Sequence, residues 1–115
     1  PIYDFIRLRL LNGEPMSLDS TVMPMNLVPG LTKNHLEGSV FQYVQETLGL
    51  KIMGSYRVVR ALKPSALDRE HLVCEETDPV LEVEQVIYLE DGTPLEYAHC
   101  HYRYDHGGIV IVNNG

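Results

Sequence analysis

Three groupings of side chains in this 115-residue chain could recognise charge or hydroxyl groups. Arg7 and Arg9 stand two apart in a strand-like run, so their guanidinium groups point at the same volume and could form charge-assisted, often bidentate bonds to a phosphate or carboxylate. Gly38-Ser39 precedes an apolar-periodic stretch beginning at Val40. A helix start there would present free N–H groups and a partial positive charge to an anion. Glu96 and Tyr102, with Asp19, could share hydrogen bonds with ligand hydroxyls. Arginines and carboxylates in one cavity would suit an anionic, hydroxylated small molecule such as a sugar phosphate. Each grouping also has a plainer reading: arginines paired with Asp4, Asp19 or Glu96 on a solvated face, Ser39 as a simple cap, and Glu96 as a cross-strand partner.

A fourth grouping, His99, Cys100 and His101, is chemically rich but points elsewhere. His99 and His101 share a strand face, yet no third ligand stands at metal-site spacing, so no metal is expected. No Gly-x-Ser-x-Gly, P-loop or catalytic-cysteine signature occurs, and no cofactor is expected.

The elements that must position these residues begin with two hairpins. Residues 2–11 alternate, with Phe5, Arg7 and Arg9 on one face and Ile6, Leu8 and Leu10 on the other. Asn12-Gly13 then supplies a turn, and Pro15 to Met23 return with Ser17, Asp19 and Thr21 on a common face. Asp91-Gly92 is the stronger turn signal, following a strand from Val80 to Leu89. Its second strand places Glu96, Ala98, Cys100 and Tyr102 on one face and Tyr97, His99, His101 and Arg103 on the other. Both hairpins put Gly and Pro at the same offset, which hints at an internal duplication. Between them lie an irregular connection, broken by Pro24, Pro29 and Gly30 and holding one short helical turn, and a helix from Val40 to Leu48 whose Ser39/Gln42 pattern suggests a capping box. A strand over 51–62, with room for a bulge at Gly54-Ser55, and a helix from Ala66 to about Val73 follow. The apolar Ile109–Val112 reads as a final strand. The sum is one α+β domain with a mainly antiparallel six-stranded sheet and a few covering helices.

Composition narrows the partners. A formal net charge of -7 argues against this segment neutralising nucleic-acid phosphates by itself. Two cysteines without CxxC spacing fit a reducing cytoplasm. No apolar run reaches the length of a membrane span, so no membrane partner is expected. The chain starts almost inside a strand with no initiator Met, and is expected to be a fragment of something longer.

Taken in order, Arg7-Leu-Arg9, Asn12-Gly13-Glu14-Pro15, Pro24, Pro29-Gly30-Leu31, Gly38-Ser39-Val40-Phe41, Leu48-Gly49, Asp91-Gly92-Thr93-Pro94-Leu95-Glu96-Tyr97 and Tyr102-Arg103-Tyr104-Asp105 resemble the UTRA domain of GntR-type, HutC-subfamily bacterial transcription regulators. The resemblance spans nearly the whole chain. It implies an effector-binding domain over residues 1–115, slightly truncated at its amino terminus, with a chorismate-lyase-like fold. It further implies a cytoplasmic homodimer that reaches DNA only through an amino-terminal winged helix-turn-helix absent from this sequence. By the same resemblance, Arg7, Arg9, Ser39 and Val40 would hold the phosphate of a sugar-phosphate effector, and Asp19, Glu96 and Tyr102 would contact its body. Asp19 departs from the Glu usual in the family, which shortens its reach by one methylene. The competing expectation is a chorismate-lyase-like enzyme in which arginines grip a carboxylate and Glu96 does acid–base work.

Overall fold

The computed structural model describes residues 1–113. Asn12 and Gly13 both adopt positive φ (52° and 80°), a turn whose twist matches its flanking strands, and they join β1 (Ile2–Leu11) to β2 (Glu14–Pro24). Gly92, at φ 86°, turns β4 (Val80–Leu89) into β5 (Pro94–Arg103). With β3 (Ile52–Leu62), these strands form one sheet in the order β1-β2-β5-β4-β3, antiparallel throughout. The two hairpins thus meet at the β2–β5 seam in the middle of the sheet. The expected irregularity near Gly54 appears as a register shift between Ile52 and Gly54.

Five strands are present among the described residues, not six. Ile109–Val112 lies outside the sheet and is exposed. After Arg103 the chain turns, with His106 N–H donating to Arg103 O at 2.9 Å. Gly107 then crosses so close to Tyr102 that a Cβ at position 107 would come within 2.8 Å of the tyrosine Cβ. The tail is steered away from the ladder, and β-prone composition without a partner strand makes no strand.

Helices flank the sheet on both faces. α1 (Lys33–Glu37) is the short turn expected in the irregular connection. The predicted Val40–Leu48 helix starts where expected but is not uniform: α2 (Val40–Gln42) passes into a wider π-helical turn over Tyr43–Thr47, closed by Leu48 N–H to Tyr43 O at 3.1 Å. Val40 and Val44 from this segment pack with Met23, Val28, Ile87, Leu89 and Leu95 to form the main core. Fully burying each such side chain contributes roughly 1.5–3 kcal/mol. On the opposite face α3 (Ala66–Leu72) seals a smaller cluster of Leu18, Leu72, Cys74 and Val80. Ser65 and Asp68 make the capping box that starts α3.

Candidate functional site

Strand pairing decides which side chains meet. Arg7 lies opposite Asp19 and Arg9 opposite Ser17, while β5 sets Cys100 beside Asp19 and Tyr102 beside Ser17. Paired residues share a face, so Arg7, Arg9, Ser17, Asp19, Glu96, Cys100 and Tyr102 all project from the side that carries α1 and α2. Between β1 and those helices opens a cavity of about 680 Å³, lined among others by Phe5, Arg7, Arg9, Gly38, Ser39, Val40 and Glu96. Its size and its few convergent polar groups fit a small-molecule site. Another depression, about 480 Å³, lies between the end of β3 and residues 76–79. It is bordered by Lys63, Glu76 and Asp78 without comparable convergence.

One end of the larger cavity is electropositive. The Arg7 guanidinium lies 5.6 Å from the Phe5 ring centroid and donates from Nη1 to Leu36 O at 3.3 Å, while its buried Nε has no partner. Arg9 reaches Asp19 only at 3.7 Å, with a side chain 55% exposed, so it is free to turn toward an anion. Ser39 caps α2 by accepting from Gln42 N–H at 3.1 Å. The Gln42 side chain bonds Glu46 and so leaves the expected capping box incomplete. The N–H groups of Val40 and Phe41 precede the first intrahelical bond and have no partner within the helix. They face the same space as the arginines, where a helix amino terminus adds its own positive potential.

The other end is acidic and buried. Glu96 is 7% exposed and accepts from Gln85 Nε2 at 3.2 Å. Burial pushes its carboxyl above the ordinary range, against the pull of Gln85 and of the Arg7 charge. Asp19 is 2% exposed, and its Oδ1 has no partner. Cys100 faces it, and burial, the Asp19 charge and a hydrogen bond from the thiol to the Asp19 carboxylate push that thiol up to about 12. At neutral pH Cys100 is therefore an inert thiol.

Of the seven residues expected at the site, Arg7, Arg9, Ser39, Val40 and Glu96 line the cavity. Asp19 lies beneath Arg9, and Tyr102 lies on the same face beyond Ser17 without lining the cavity. Among the described residues no group of three or more His, Cys, Asp or Glu is arranged to hold a metal, and no helix is long and apolar enough to cross a membrane. His99 and His101 fall on the far face, as their alternation implied. What sequence reasoning missed there is the structural weight of His101, which bridges Asp68 of α3 and Glu82 of β4. The Ser65/Asp68 cap was legible, but nothing in the linear sequence shows that Asp68 reaches His101, 33 residues away.

Comparison with known proteins gives this geometry a family. The UTRA domain model matches residues 1–106. The HTH-type transcriptional regulator GmuR of Bacillus subtilis is 41% identical over 113 residues, covering 98% of this chain and 48% of the relative. Among solved structures, the effector-binding domain of the B. subtilis trehalose repressor TreR superposes with a TM-score of 0.86 at 30% identity, covering 99% of this chain and 79% of that one. A GntR-family transcriptional regulator from Bacillus cereus superposes at 0.87 with 31% identity, covering 98% and 79%. The chain spans about half the length of the curated relatives it matches. It belongs to the UTRA domain family, and the relatives it matches are transcriptional regulators, GntR-family ones among them.

Proposed function

We infer that this domain senses a phosphorylated sugar and passes its occupancy to a winged helix-turn-helix DNA-binding domain that precedes it, in a cytoplasmic homodimeric regulator of the HutC subfamily with a chorismate-lyase-like fold. The observation that carries the ligand class is the polarity of one cavity: Arg7, Arg9 and the Val40 helix start line one end and buried Glu96 the other, with buried Asp19 beneath Arg9. An anion at the first end meets two guanidinium groups and two backbone N–H donors, while hydroxyls at the second meet carboxylate acceptors. The trehalose repressor among the relatives adds a sugar context. Several charge-assisted bonds of about 1.5–3 kcal/mol each, less the cost of ordering, support roughly micromolar affinity.

Transmission follows the same side chains. Arg7 holds the Leu36 carbonyl at the end of α1, so an anion that recruits Arg7 competes for that bond. The segment leading to α1 is tied to the start of the chain by Met25 N–H to Pro1 O (3.2 Å) and Tyr3 OH to Val28 O (2.8 Å). A shift of α1 on ligand binding therefore reaches the residues adjoining the preceding domain. A coupling of about 1–3 kcal/mol is sufficient to change operator occupancy severalfold or more. For the homodimer, support comes from the far face, where Ile2, Ile6 and Leu8 leave an apolar stripe exposed.

Calorimetric titration with glucose 6-phosphate, mannose 6-phosphate and the unphosphorylated sugars tests the ligand class. At least one phosphate ester binds, its parent sugar binds at least about 100-fold more weakly, and the Arg7→Ala, Arg9→Ala double variant loses a similar factor. Equal binding by the unaltered protein and the double variant would remove the phosphate clamp.

A further inference from the structure

Ser17 belongs to no grouping that the family resemblance assigns, yet its environment is unusual. It is 0% exposed, and its hydroxyl has no hydrogen-bond partner. Its neighbour on the same face, Asp19, carries a buried, unpartnered Oδ1. A buried hydroxyl without a partner is destabilising, and native structures retain few of them. The strand register gives Ser17 a specific setting: Arg9 lies directly across on β1 and Tyr102 directly across on β5. Arg9 lies over Asp19 at a distance too long for a hydrogen bond, 3.7 Å, with its side chain more than half exposed. If Arg9 swings toward an anion near Ser39, the rung formed by Ser17 and Asp19 loses its cover.

We propose that Ser17 is a ligand-contacting, specificity-determining residue: together with Asp19 Oδ1 it forms a polar rung that lies beneath Arg9, outside the lining of the cavity, and that hydrogen-bonds hydroxyls on the body of the effector, away from its phosphate, once Arg9 has moved. The proposal rests on the sugar-phosphate reading and deepens it. The hydroxyl both donates and accepts, whereas the carboxylate only accepts, so the rung matches a polyol with neighbouring hydroxyls. It also gives the motion of Arg9 a second consequence, since the residue that meets the phosphate opens the surface that reads the sugar.

The test uses two readouts that a purely structural serine would move together. Ser17→Ala removes an unpartnered buried hydroxyl, so the ligand-free melting temperature rises by at least about 2 °C. In calorimetry the same variant binds the preferred hexose 6-phosphate about three- to tenfold more weakly, while its affinity for inorganic phosphate, which has no sugar body, is unchanged. Ser20→Ala, on the opposite face, leaves both affinities unchanged. A lower melting temperature for Ser17→Ala would show that the hydroxyl is partnered within the protein, and overturns the proposal. Equal binding of the hexose phosphate by Ser17→Ala and the unaltered protein overturns the Ser17 assignment alone. If neither hexose phosphate binds the unaltered protein, the sugar-phosphate reading fails and the assignment falls with it.

Discussion

The two faces of the β2–β5 seam carry similar numbers of polar side chains and treat them in opposite ways. On the outer face His101 places Nδ1 2.9 Å from Asp68 and Nε2 2.8 Å from Glu82, and Glu82 also receives Arg60 at 3.0 Å. Glu84 joins this set by accepting from Arg60 and from the Tyr97 hydroxyl. Even Arg103, whose Nε makes no well-aligned hydrogen bond, sits 2.9 Å from Asp105. On the inner face Arg7 Nε, Ser17 Oγ and Asp19 Oδ1 are buried without partners. A face that satisfies its own polar groups is structural. A face that leaves buried donors and acceptors open is arranged for something that arrives later.

The comparison breaks most visibly if the outer network is cut. Asp68→Ala removes an α3 cap and leaves His101 and Glu82 facing a gap, so urea denaturation is expected to show a loss of about 2–4 kcal/mol. Affinity for the preferred hexose phosphate, measured on the folded variant, stays within about twofold. A large loss of affinity would mean that the two faces are energetically coupled.

Acidity sharpens the contrast next. Burial opposes a charge on His101, but hydrogen bonds to Glu82 and Asp68 outweigh it and hold the imidazole above its ordinary 6.5. Burial likewise opposes a charge on Glu82, and bonds from His101 and Arg60 outweigh it, holding the carboxyl below its ordinary 4.5. The histidine contribution is fully present below 6.5 and is lost as pH rises through its raised value. The glutamate contribution is present above 4.5 and is lost as pH falls through its lowered value. The network is therefore strongest between about pH 4.5 and 6.5. Urea midpoints are expected to fall from pH 6 to pH 9 in the unaltered protein, and to fall less in His101→Gln.

The smallest effect is on the inner face. Glu96 has the opposite sign, since its carboxyl is raised by burial and its charge is unfavourable above the ordinary 4.5. Glu96→Gln should raise stability at pH 7 by under about 1 kcal/mol, with the gain fading toward pH 4, while hexose-phosphate binding weakens. Stability gained with affinity lost is the signature expected of a binding face.

Much of this arrangement was readable from period-two alternation. Once residues 2–11 and 94–103 are strands, Arg7, Arg9, Glu96 and Tyr102 are sorted onto one face and His101 onto the other, and the two turn dipeptides fix where the strands start. The outcome at residues 109–112 depended on information that alternation lacks. Those residues have strand composition, but the Gly107 crossing over Tyr102 directs them away from any partner. The π-helical turn at Tyr43–Thr47 and the Asp68–His101 contact are likewise products of tertiary packing. Ser17 was sorted to the correct face, but its lack of a partner emerges only once Arg9 and Tyr102 are placed on either side of it.

The division of labour between the faces is tested most directly by nuclear magnetic resonance, following side chains on both faces while glucose 6-phosphate or mannose 6-phosphate is added. The account predicts that the Nε–H signals of Arg7 and Arg9 and the amides of Val40 and Phe41 move along one saturable curve, while the His101 ring and Arg60 signals stay in place. Shifts centred on His101 and Arg60, or no saturable shift at Arg7 and Arg9 with either ester, would contradict it.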